Sequence, residues 1–203
     1  MYPIKYKPKS FLSPDPVVID YSNVFELPNM ISRSMADNLK KYAIDEKASG
    51  LHRRQSNVND GSEFSTCQVH ETMYAFGYDN SIYQILHDVW TLHASKIKND
   101  ILFIEPYEIK IYHPGDYFST HHDGSITDDL TQERKVNLII QLSDSNDYEG
   151  GDLYVADHHV SRAFGSCVFF PANYPHNVTK ITRGNRICLI GRSWGPYTAN
   201  PMN

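Results

Sequence analysis

The spacing of apolar residues changes once along this chain, near Ile101, and that change restricts the fold more than any other feature. Beyond it stand ILFI, YEIKIY, KVNLIIQL, GDLYV, SCVFF, HNVTKI and RICLIG, short apolar or alternating runs separated by turn residues. That is the pattern of many short strands. Before it, Ile82, Ile85, Leu86, Val89, Trp90, His93 and Ile97 recur at three- and four-residue steps, the spacing of a helix. From about Ile31 to Ala48, Met35, Leu39, Tyr42 and Ala43 do the same, with Gly50 to end the run. Helices followed by strands predict an α+β fold, mainly β, in which an antiparallel sandwich or barrel is backed by amino-terminal helices.

With 203 residues the chain has room for one well-buried domain. We expect residues 1–16 to be an arm and 17–203 a single domain that opens with a strand at Val17–Asp20 and has its β-core at about 101–197. The polar stretch from Leu51 to Ser65 reads as a long loop. A formal net charge of −5 and a sequence pI near 6.0 speak against nucleic acid as a partner, because there is no basic surplus to displace counterions. No stretch approaches the roughly 20 apolar residues that cross a bilayer, and no apolar signal segment is visible, so a cytoplasmic protein is expected. Cys67, Cys167 and Cys188 are odd in number and show no C-x-x-C spacing, which fits small core residues in a reducing compartment.

The chemistry-bearing residues lie in IYHPGDYFSTHHDGS. There His121 and Asp123 are two apart, so on a strand they project from one face. His176, in PANYPHNVTK, can return to the same place if the sheet closes into a barrel. Two imidazoles and one carboxylate on one face of a metal leave the opposite positions open, the arrangement of non-haem iron(II) oxygenases.

The stretch from about Tyr107 to Trp194 resembles the prolyl-4-hydroxylase-like branch of the 2-oxoglutarate dioxygenases, particularly the PKHD-type hydroxylases. The proximal pattern of that family is met by Tyr112, Gly115, His121 and Asp123, with Phe118 in place of its second tyrosine and Tyr117 beside it. Gln141 to Leu153, with Gly150 and Gly151, is similar to its strand–turn–strand, and GSCVFFPANYPHNVTKITRGNRICLIGRSW to its distal-histidine segment. The resemblance implies a double-stranded β-helix, or jelly-roll barrel, buttressed by the amino-terminal helices. It implies iron(II) on His121, Asp123 and His176, with 2-oxoglutarate and O2 as co-substrates and ascorbate as reductant. It further implies hydroxylation of a C–H bond, in this branch on a peptidyl proline, with release of succinate and carbon dioxide.

Arg186, ten residues after His176, is then the partner of the 2-oxoglutarate C5 carboxylate, for which a guanidinium fork is the matching donor. Tyr112 offers a hydroxyl to one of the co-substrate's carboxylates. Arg192 is expected at a solvent-exposed rim, His113, His122, His158 and His159 in surface or structural roles, and Trp194 in packing. Gly124 to Glu133 reads as a polar loop at the mouth of the site. Two further readings compete: a hydroxylase of a free amino acid or other small molecule, and a non-catalytic metal-binding β-sandwich. The triad specifies the chemistry and not the molecule oxidised.

Overall fold

A computed structural model of the chain describes residues 23–44, 51–57, 63–71, 103–105, 107–124 and 132–197. The expected arm, the Val17–Asp20 strand, the helix over 82–97 and residues 125–131 of the mouth loop lie outside the described residues.

One described helix, α1 (Arg33–Ile44), is capped at its start by Ser32, whose Oγ accepts from the Met35 backbone N–H at 3.3 Å and whose carbonyl accepts from the Ala36 N–H. It buries Ala36 and Leu39 against the sheet. Fourteen strands are described: β1 (Phe25–Leu27), β2 (Leu51–Asn57), β3 (Glu63–Glu71), β4 (Phe103–Ile104), β5 (Glu108–Tyr112), β6 (Tyr117–His121), β7 (Gln132–Gln141), β8 (Tyr148–Glu149), β9 (Leu153–Val155), β10 (His158–His159), β11 (Cys167–Pro171), β12 (His176–Val178), β13 (Arg183–Gly184) and β14 (Arg186–Pro196). The pairings among the described strands are antiparallel, and the main sheet runs in the order β1-β11-β7-β14-β5-β3-β6-β12-β9-β10. The sheet curls until β6, β12 and β9 face β5, β7 and β14, which is the expected jelly roll.

The two-residue period of the central strands sorts their side chains onto two buried faces. Ile109, Ile111, Val136, Leu138, Ile140, Phe169, Ile187 and Leu189 point outward to α1 and form one core with it. Tyr112, Ile139, Phe170, Cys188 and Ile190 point into the barrel, where they meet Leu153, Val155 and Val178 from the opposite sheet. A strand covered on both sides cannot alternate cleanly between apolar and polar residues. The polar residues that β5, β7 and β14 do carry inward are therefore held in a buried place.

The expected Leu51–Ser65 loop is corrected: residues 51–57 and 63–65 belong to the hairpin arms β2 and β3, paired from Leu51↔His70 onward. The sequence there lacks apolar alternation because strand formation follows from backbone pairing with partners distant in the chain. β3 pairs with β5 through Gln68↔Ile111 to Glu71↔Glu108 and with β6 through Ser65↔Phe118, so it joins the two facing sheets.

Candidate functional site

His121 ends β6 and His176 begins β12, and the two are direct cross-strand partners with ring centroids 4.1 Å apart. Asp123 lies two residues past the end of β6, fixed by its backbone N–H donating to the Ala172 carbonyl at 2.8 Å. Its Oδ1 is 3.8 Å from His121 Nε2 and its Oδ2 3.8 Å from His176 Nε2. The three potential ligand atoms all lie within 4.8 Å of one another.

Both imidazoles are oriented from behind. His121 Nδ1 lies 2.8 Å from the Ser119 carbonyl and His176 Nδ1 3.0 Å from the Tyr174 carbonyl. A carbonyl only accepts, so each Nδ1 carries the proton and each Nε2 lone pair faces the carboxylate. Burial, with His176 adding to it, lowers His121 to about 3, and burial likewise lowers His176, so both rings are neutral at physiological pH. Burial works against an ionised Asp123, but the Arg192 guanidinium beside it outweighs burial and holds the carboxyl well below its ordinary range. A deprotonated carboxylate and two neutral imidazoles presenting lone pairs are the donor set that suits iron(II).

The triad opens into a cleft between the two sheets with about 380 Å³ of space free of protein atoms, open solvent at its mouth included. Arg186 and Tyr112, paired across β14 and β5, line this cleft, with the guanidinium carbon 5.4 Å from the Tyr112 ring centroid. Arg186 is 1% exposed, and its Nε and Nη2 have no hydrogen-bond partner. Its Nη1 reaches the weak acceptor Cys188 Sγ at 3.6 Å. Among the described residues no carboxylate pairs with it. A buried cation without an acid is costly on its own, and a ligand carboxylate is the group that would complete it.

Arg192 departs from the sequence expectation. It is not at an exposed rim but 6% exposed and lines the cleft. Its Nε donates to Asp123 Oδ2 at 3.2 Å, and its Nη1 lies 3.3 Å from Glu108 Oε2 and 3.8 Å from Glu105 Oε2. Glu105 in turn accepts from Arg134 and from the Trp194 indole. The sequence did contain a signal: Arg186 and Arg192 are an even number of residues apart on one strand, so a buried Arg186 places Arg192 on the same inward face. The inward residues Lys110 and Asn137 were also missed, hidden in strands read as apolar. Trp194 packs as expected, stacked on Phe103. His113, His158 and His159 bond to Asn185, Glu26 and Asp152, in structural roles, and His122 is half-buried.

A jelly roll with two imidazoles and a carboxylate converging at one end of a cleft, and an arginine without an acid deeper inside, defines a class of proteins built to hold a metal ion beside an anionic ligand. Residues 107–192 match the sequence model of the 2OG-Fe(II) oxygenase superfamily. A PKHD-type hydroxylase of Idiomarina loihiensis is 31% identical over 87 residues, 41% of this chain and 39% of that protein. One from Caulobacter sp. (strain K31) is 37% identical over 83 residues, 37% of each. The chain thus spans about two-fifths of the length of the curated relatives it matches. In overall shape it is similar to a Pseudomonas putida prolyl-4-hydroxylase (TM-score 0.63, 18% identity, 84% of this chain and 91% of that one). It is also similar to the viral collagen prolyl hydroxylase of Paramecium Bursaria Chlorella virus-1 in its 2OG complex (TM-score 0.62, 16% identity, 88% and 98%).

Proposed function

We propose that this protein is an iron(II)- and 2-oxoglutarate-dependent dioxygenase that hydroxylates a peptidyl proline. The observation that carries the co-substrate reading is the buried, acid-free guanidinium of Arg186 in the same cleft as the His121–Asp123–His176 triad. Iron and 2-oxoglutarate, when bound, supply the oxidising power by activating O2 with conversion of 2-oxoglutarate to succinate and carbon dioxide. His121, Asp123 and His176 hold the metal. Arg186 binds the C5 carboxylate, with Tyr112 beside it, and Arg192 keeps Asp123 ionised and oriented. The apolar inner wall, Ile139 and Ile190 among it, limits water around the reacting centre.

The choice of a proline substrate is supported by the shape neighbours, which are prolyl hydroxylases. An extended proline segment is already ordered and so loses little entropy on docking. We take residues 17–203 as one domain and the cytoplasm as its place. In support, Cys167 and Cys188 are free thiols, and no described helix is long and apolar enough to cross a membrane. The test is incubation with iron(II), ascorbate, 2-oxoglutarate and either proline-containing peptides, free amino acids or methylated oligonucleotides, followed by mass spectrometry. The reading expects a peptide product heavier by one oxygen, in step with succinate. Coupled turnover only with free amino acids or nucleic acid would reject the peptidyl substrate.

A further inference from the structure

Asn137 stands opposite Arg192 in the β7–β14 pairing and lines the cleft. It is 1% exposed, yet neither its Oδ1 nor its Nδ2 has a hydrogen-bond partner. An unmet buried polar group is destabilising, a penalty that Val or Leu at the same place would avoid. The same wall carries Lys110, 4% exposed and paired with Cys188, one inward position along β5 from the Tyr112–Arg186 pair toward Arg192. Its Nζ lies 4.9 Å from the centre of the Phe118 ring, and that ring stacks on His121 at 4.0 Å. Its acid neighbour, Glu108 Oε2, is at 3.7 Å, beyond hydrogen-bond reach, and is shared with Arg192.

These positions give the cleft two ends. Arg186 marks one. The triad marks the other, where Arg192 touches Asp123 and Lys110 and Asn137 flank the approach. Arg192 is matched by Asp123 and Glu108, so positive charge is left unmatched at Arg186 and only loosely matched at Lys110. A dicarboxylate fits that distribution.

We propose that Lys110 and Asn137 bind the co-substrate's metal-end carboxylate, with the Asn137 Nδ2 and the Lys110 ammonium donating to its oxygens. This rests on the 2-oxoglutarate reading above and extends it: both ends of the dicarboxylate are held by the protein, the far one by Arg186 and the near one by a lysine–asparagine pair. A 2-oxo acid lacking the far carboxylate should then keep half of the recognition.

The test uses the full chain loaded with iron(II) without oxygen, and measures by calorimetry the dissociation constants of 2-oxoglutarate and of 2-oxobutyrate, which keeps the oxo-acid end and lacks the far carboxylate. Lys110→Met and Asn137→Asp are each expected to weaken both ligands by a similar factor, about 10- to 100-fold. Arg186→Met is expected to weaken 2-oxoglutarate by a comparable factor and leave 2-oxobutyrate almost unchanged. Asn137→Leu supplies a readout independent of ligand: the metal-free protein should become more stable to urea while the loaded protein loses affinity for both oxo acids. If Lys110→Met and Asn137→Asp leave both constants unchanged, or weaken 2-oxoglutarate alone, the assignment to the metal end is overturned. A wild-type protein that binds iron(II) but neither oxo acid would overturn the 2-oxoglutarate reading and this proposal with it, a result distinct from loss in the variants alone.

Discussion

Arg192 donates from Nε to Oδ2 of Asp123 at 3.2 Å, which ties the carboxylate of the triad to a buried chain of charge running through Glu108 to Glu105 and Arg134. Burial alone would lower the guanidinium's affinity for its proton, but Glu108, Asp123 and Glu105 outweigh it and raise it, so Arg192 stays charged. The Asp123 carboxyl beside it is held well below its ordinary range chiefly because Arg192 is there.

Arg192→Met should therefore take from Asp123 its close cation and from Glu108 and Glu105 one of the cations they share, leaving them Lys110 and Arg134. Removing one partner from a buried pair costs about 3–5 kcal/mol, and urea unfolding of the metal-free variant should show a loss of that order. Arg192→Lys should recover part of it, since an ammonium supplies the charge without the fork. Stability equal to wild type in the methionine variant would mean that the network carries no weight.

Much of the site was legible in the sequence because its residues sit where local spacing and fold geometry agree. His121 and Asp123 are two apart at a strand end, His176 opens a later strand, and Arg186 begins the strand that closes the sheet. What was not legible depended on pairings between distant segments. That His176 lies directly across from His121 is a fact of the β6–β12 register, and that Arg192 is buried follows from β14 being covered on both faces. The β2–β3 hairpin was missed because its residues show no periodicity of their own: β3 is held by β5 and β6, and β2 by β3. The fold class was readable from the shift to short strand-like runs after Ile101.

The paired glycines before β9 bear on the site through contact. Gly151 has φ +67°, a left-handed conformation that a side chain resists, and a Cβ there would collide with Ile181 Cδ1 and stand 3.2 Å from Arg186 Cδ. Gly151→Ala should cost about 2–4 kcal/mol of stability and, in the fraction that folds, raise the 2-oxoglutarate requirement by displacing Arg186. Chemical denaturation and a co-substrate titration would check both. An altered stability with an unchanged requirement would show that the Arg186 side chain does not depend on this contact.

The neutral histidines give a pH dependence with a definite sign. His121 falls from 6.5 in the unfolded chain to about 3 in the folded one, and His176 is lowered in the same direction. Between those values the unfolded chain binds protons that the native protein does not. The contribution to stability is therefore complete above about pH 6.5 and lost as pH falls from there toward 3, at up to about 1.4 kcal/mol per pH unit for each histidine. Urea midpoints of the metal-free protein across this range should decline with acid, and His121→Gln should flatten the decline. A midpoint independent of pH between 6.5 and 4 would contradict the burial of neutral imidazoles.

The most direct measurement of the central claim is the iron(II) bound per chain under oxygen-free conditions, in wild type and in His176→Ala, with 2-oxoglutarate turnover to succinate followed after air is admitted. The account predicts about one iron per wild-type chain, succinate formed from it, and loss of both in the variant. A His176→Ala protein that binds iron stoichiometrically and forms succinate at the wild-type rate would contradict the assignment of His121, Asp123 and His176 as the metal's ligands.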